Sequence, residues 1–242
     1  LICVLGLLPT AALAAGADTI KLERFGMSGV SYQSASLGRC TMHQMYYGVG
    51  GKTSVGFCGT KGGGMGTSLI GQTWGDPKPI TDPTVKMMMA YYYAHSLGIF
   101  TDKAQALGVD DIWDSGYSWY MNAWVQAIVW RYKDGSLGDP ATACAEELMY
   151  VWNSLKGASY TSIDQTCDGT TFRDRTKYIL DLGKQDVWGD CAVKEYSFTG
   201  AGSAAHPAST VQNVMIGSLT VTNERYTLVV KKVDATNPTK GL

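Results

Sequence analysis

Met121-Asn122-Ala123-Trp124-Val125-Gln126-Ala127-Ile128-Val129-Trp130 is apolar everywhere except at Asn122 and Gln126. A helix that is apolar on every side belongs in the interior, and a spacing of four puts the two amides on one face. An amide left unpaired there would cost about 1–3 kcal/mol. Gln126 is therefore either hydrogen-bonded in the core or used chemically. The pattern predicts a helix from about Tyr117 to Lys133, stopped at Asp134-Gly135.

Working outward, Thr81-Asp82-Pro83 supplies the start of an earlier helix through Met87-Met88-Met89-Ala90-Tyr91-Tyr92-Tyr93 to about Leu97. A third should run from Asp139-Pro140 to Lys156-Gly157. Residues 16 to 80, rich in Gly, Ser and Thr, read as strands and loops, including Ser54-Val55-Gly56-Phe57-Cys58. Strands are expected again at Asp186-Val187-Trp188, at Cys191 to Phe198, and from Val211 after the small-residue loop 200–205. The fold class expected is α+β: a strand-built, sandwich- or barrel-like body with an inserted helical subdomain.

The chain has 242 residues, 45% hydrophobic and 17% charged, enough to bury a real core. Lys and Arg number 20 against 21 for Asp and Glu, with no basic run, which argues against nucleic acid as partner. The opening Leu1-Ile2-Cys3-Val4-Leu5-Gly6-Leu7-Leu8 and the small residues to Ala15 read as a signal-peptide remnant, residues 1–15, cut after Ala14 or Ala15. The expectation is a secreted protein whose mature part does not insert into a membrane. Without Cys3, five cysteines remain: Cys40, Cys58, Cys144, Cys167 and Cys191. An odd cysteine in an oxidising setting needs a chemical reason. No C-x-x-C pair occurs and the histidines lie far apart, so no metal and no cofactor are expected.

Phe57-Cys58 and Val125-Gln126-Ala127-Ile128-Val129-Trp130 together resemble the paired signature of thioester domains in the surface adhesins and pilus tips of Gram-positive bacteria. The tyrosine-rich helix between them and the turn Lys133-Asp134-Gly135 after Trp130 are similar to that family's context. The likeness spans roughly residues 40 to 200, and only the Cys and Gln elements are specific. It implies a thioester domain over residues 16–218 in which the Cys58 thiolate attacks the Gln126 amide carbon, ammonia leaves, and an activated acyl group awaits one amine. Phe57, Trp124, Trp130 and Tyr92 would shield that bond from water. The implied activity is single-turnover covalent attachment by a monomer to a lysine amine on a host or matrix protein, at the cell surface or cell wall. It is not enzymatic turnover. Cys40, Cys144, Cys167 and Cys191 would then form two bridges or stay reduced.

Residues 219–242 are similar to a linker and the first strand of an Ig-like adhesin stalk repeat. That resemblance makes Lys232 the candidate for an isopeptide bond.

Two rivals remain at this level: a non-covalent binding module with a structural Cys58, and a secreted cysteine hydrolase or acyltransferase using His95 and a carboxylate such as Asp111. Three other signals read blandly. Lys61-Gly62-Gly63-Gly64-Met65-Gly66 lacks the order of a phosphate loop and reads as a flexible turn. Asp110-Asp111-Ile112-Trp113-Asp114 lacks the Gly and Glu of a calcium loop. The methionine run 87–89 reads as core filling.

Overall fold

A computed structural model describes residues 18–26, 30–96, 118–185 and 187–220, together with the backbone of 233–234 and 237–241. Its centre is a barrel of six strands: β1 (Ile20–Phe25), β4 (Met45–Val49), β5 (Lys52–Cys58), β10 (Val214–Thr220), β9 (Asp190–Phe198) and β6 (Thr73–Ile80), in that order around the wall. The pairing Ile20↔Trp74 closes it. Alternation along the strands sends Met45, Tyr47 and Val49 inward, and Tyr47 meets Trp74 edge-on at 5.4 Å. The inner wall is tight enough that a Cβ at Gly56 would stand 2.6 Å from the Tyr47 ring.

The helices are α1 (Pro83–Ser96), α2 (Ser118–Asp134), α3 (Pro140–Lys156) and α4 (Phe172–Lys184). The first three lie where the sequence places them, and the start signals of α1 and α3 work as capping requires. Asp82 Oδ1 accepts from Val85 N at 2.9 Å, and Asp139 Oδ2 accepts from Thr142 N at 2.9 Å. Helix α1 is buried from Met88 to Ala94, with Met88 and Met89 filling core. It packs between barrel strands β9 and β10 on one side and α2 and α4 on the other.

The hairpin β2 (Val30–Ser34) and β3 (Gly38–Met42) stands outside the barrel against α2 and α3. It is joined to them through Glu147, which is fully buried. That carboxylate accepts from Tyr32 Oη at 3.0 Å, Ser34 Oγ at 2.7 Å and Arg131 Nε at 2.8 Å. Both oxygens of the buried charge are thus hydrogen-bonded, and Arg131 anchors α2 from the side away from the barrel.

Three expectations need correction. Helix α4 falls where a return to strands was expected. Its start is marked by Thr171, whose Oγ1 accepts from Asp174 N at 3.0 Å, and by the short hairpin β7 (Thr166–Cys167) and β8 (Thr170–Thr171) before it. Val187 and Trp188 form a turn rather than a strand, since the Trp188 ring is needed against Tyr91 at 5.4 Å. The break expected at Asn237-Pro238 is instead a strand, β12 (Asn237–Gly241), paired with β11 (Val233–Asp234). A two-stranded ribbon has only edges, where proline is tolerated. Lys232 and the rest of 221–232 lie outside the described residues, as do the apolar stretch 1–17 and the segment 97–117 with Asp111.

Candidate functional site

Cys58 is the last residue of β5. Its side chain shares the inner face of Gly56 and Val214, with Sγ 4.0 Å from Met45 Sδ. Phe57, on the opposite face, packs against Tyr92 and Tyr93 of α1, with ring centroids 5.2 and 6.5 Å apart.

The backbone around Cys58 explains what Gln126 does. Gly59 N donates to Asn213 O at 2.8 Å, on the β10 side. Alternation therefore turns the N–H and C=O of Cys58 toward β4. Strand β4 begins only at Met45, opposite Gly56, so no strand residue stands across from Cys58. The Gln126 carboxamide takes that place. Cys58 N donates to Gln126 Oε1 at 2.6 Å, and Gln126 Nε2 donates to Cys58 O at 2.8 Å. A side-chain amide thus continues the ladder as a peptide would, and it satisfies two buried backbone groups that the end of β4 leaves open.

The thiol is free and the amide intact in this structure. Burial pushes the Cys58 thiol up to about 12, so at neutral pH it is protonated. It is still 7% exposed, against 3% for Gln126, so the site is shielded without being sealed. The Cys58 N–H on Oε1 polarises the Gln126 carbonyl and is already placed to hold the oxyanion that addition of a nucleophile at Cδ would create.

A charged group lies beside the next residue along the strand, on the face of Phe57 rather than that of Cys58 Sγ. Lys133 lies two turns after Gln126 on the same side of α2, and its Nζ contacts both Glu195 oxygens, at 2.9 and 3.0 Å. Asn213 Nδ2 donates to Glu195 Oε1 at 3.0 Å. The carboxylate rests on the residue after Cys58: a Cβ at Gly59 would lie 3.1 Å from Oε1. Sequence reasoning missed this group, treating Lys133 as part of a turn and Glu195 as part of a strand. The spacing of Lys133 from Gln126 was the available signal.

The other candidates are dispersed. Tyr92 sits over Phe57 and its hydroxyl accepts from Gln44 Nε2 at 2.6 Å. Trp130, one turn beyond Gln126, is buried, and its indole N–H has no acceptor among the described residues. Trp124 faces α3 instead, donating to Cys144 O at 2.8 Å and packing on Tyr91. Its shielding is of the α2–α3 interface, because it lies two residues from Gln126 and so on another face of the helix. Cys40, Cys144, Cys167 and Cys191 are all buried free thiols, on β3, α3, β7 and β9. No bridge joins them in this structure. His95 ends α1. In the loop 61–66, Gly64 N donates to Thr210 O at 2.8 Å, and Gly64 and Gly66 lie against the His206 ring.

Among the described residues no group of three or more His, Cys, Asp or Glu side chains is placed to hold a metal, and no helix is long and apolar enough to cross a membrane. No family model, no curated protein and no solved structure matches this chain. What the fold and site define is thus an α+β protein with a six-stranded barrel and a Cys–Gln pair at the end of one strand.

Proposed function

We propose that the protein is a surface adhesin domain that attaches covalently to an amine through a thioester between Cys58 and Gln126. The observation that carries this reading is the reciprocal pair of hydrogen bonds between the Cys58 peptide and the Gln126 carboxamide. They hold the amide carbon beside the thiol's own residue, with its oxygen on the Cys58 N–H and its nitrogen, the leaving group, on the Cys58 carbonyl. In the forming step, Sγ bonds to Cδ, the thiol proton passes to Nε2, and ammonia departs. In the capturing step, a neutral amine bonds to Cδ, the Cδ–Sγ bond breaks, and the amine's proton returns the sulfur to a thiol. The amide that results does not dissociate under load, which suits a monomeric adhesin binding a lysine side chain of a host or neighbouring protein at a bacterial surface.

Intact mass tests it. The protein should be lighter than its sequence by one ammonia, and Cys58→Ala and Gln126→Ala should each restore the full mass of the variant. Addition of methylamine should raise the wild-type mass by one methylamine and expose one thiol. Full mass with Cys58 open to alkylation in the native protein would overturn the reading.

A second reading is favoured by the same two bonds: Gln126 serves only to complete the sheet where β4 ends. It predicts full mass and no methylamine adduct.

A further inference from the structure

The thioester reading leaves open how a lysine, protonated at neutral pH, becomes a nucleophile beside a buried thiol. On that reading, we propose that Glu195 is the group that recognises the incoming ammonium and takes its proton.

Three observations on the structure support this. The Glu195 carboxylate rests against Gly59, the residue after Cys58, where a Cβ would stand 3.1 Å from Oε1 and press the carboxylate back by a few tenths of an ångström. It already holds a lysine ammonium in a two-oxygen contact, that of Lys133, so the site has the geometry such a ligand requires. The Lys133 side chain is 27% and the Glu195 side chain 11% exposed, so the buried carboxylate is reached from solvent at its lysine end. An arriving lysine would take the place on the carboxylate that Lys133 holds. Lys133 acts as an internal occupant that it must displace, which keeps the carboxylate from standing uncompensated in the unliganded protein.

The step balances. The ligand ammonium gives one proton to the Glu195 carboxylate, and the neutral amine then attacks Gln126 Cδ. The Cδ–Sγ bond breaks, and the second amine proton ends on Cys58 Sγ. An amine that is neutral beforehand does not need the carboxylate.

The test compares methylamine, cationic at neutral pH, with hydroxylamine, which is uncharged there, on full-length wild type, Glu195→Gln and Lys133→Met. Adduct formation is followed by intact mass. Gln is isosteric and can still accept from Lys133, so folding is preserved. Glu195→Gln should keep the ammonia deficit but capture methylamine on the order of 10²-fold more slowly, with hydroxylamine capture within about twofold of wild type. Its methylamine rate should climb with pH as free amine accumulates, closing the gap on wild type. Lys133→Met should capture methylamine faster than wild type.

Equal slowing of both amines, or no slowing, with the ammonia deficit present overturns the role of Glu195 while leaving the thioester standing. Absence of the deficit in wild type overturns both.

Discussion

The Gln126 carboxamide occupies the place across from Cys58 where β4 would have had to supply its next peptide, and it exchanges two hydrogen bonds there at 2.6 and 2.8 Å. One side chain is thus both a piece of the sheet and the reactant proposed for the thioester. The two roles separate on mutation.

Cys58→Ala and Gln126→Ala both abolish the proposed cross-link, but only the second strips the Cys58 N–H and C=O of their partner. Gln126→Ala should therefore be less stable than Cys58→Ala by about 2 kcal/mol or more, from two buried backbone groups left open. Urea unfolding of the two variants side by side measures the difference. Equal stabilities would mean that the carboxamide does not complete the sheet.

Glu147 should behave as a structural charge without a part in the chemistry. Glu147→Leu leaves Arg131 buried without its inner partner and should cost about 3–5 kcal/mol. The fraction that remains folded should show the same mass and the same methylamine adduct as wild type. Loss of the adduct in folded Glu147→Leu would place the network in the site.

Stability should fall in alkali. Burial raises the thiols of Cys58 and Cys191 from an ordinary 9.0 to about 12, and shifts Cys144 the same way. Above pH 9 the unfolded chain sheds thiol protons that the folded chain keeps, so this contribution is complete below pH 9 and is lost as pH rises toward 12. Even with Cys58 consumed, Cys144 and Cys191 should lower the unfolding free energy by at least about 2 kcal/mol between about pH 8 and pH 10.5. Denaturant titrations at the two pH values test the sign and the size.

Gly56→Ala should strain the barrel, because its Cβ would come within 2.6 Å of the Tyr47 ring and 2.8 Å of Val214 Cγ1. Overpacking of this kind costs about 1–3 kcal/mol, and calorimetry should show the corresponding drop in Tm. An unchanged Tm would mean that Tyr47 can swing away inside the barrel.

Much of the architecture is legible in the chain itself. The all-round apolarity of 121–130, the Asp82-Pro83 and Asp139-Pro140 starts and the alternation of strand residues are local signals, and local hydrogen bonding decides them. The pairing of Cys58 with Gln126 was legible only as a resemblance. Helix α4 was missed although Thr171 and Asp174 mark its start and Phe172, Thr176, Ile179 and Leu180 share one face. A polar sequence hid that stripe, which only burial against α1 and α3 brings out. What the sequence by itself determined is therefore the set of elements and the residues able to react. Tertiary structure alone decided that the pairing with β4 ends at Gly56, two residues short of Cys58, that Gln126 fills the gap, and that Lys133 and Glu195 meet beside Gly59. Each depends on where separate segments end relative to one another in space, a quantity that no local pattern encodes.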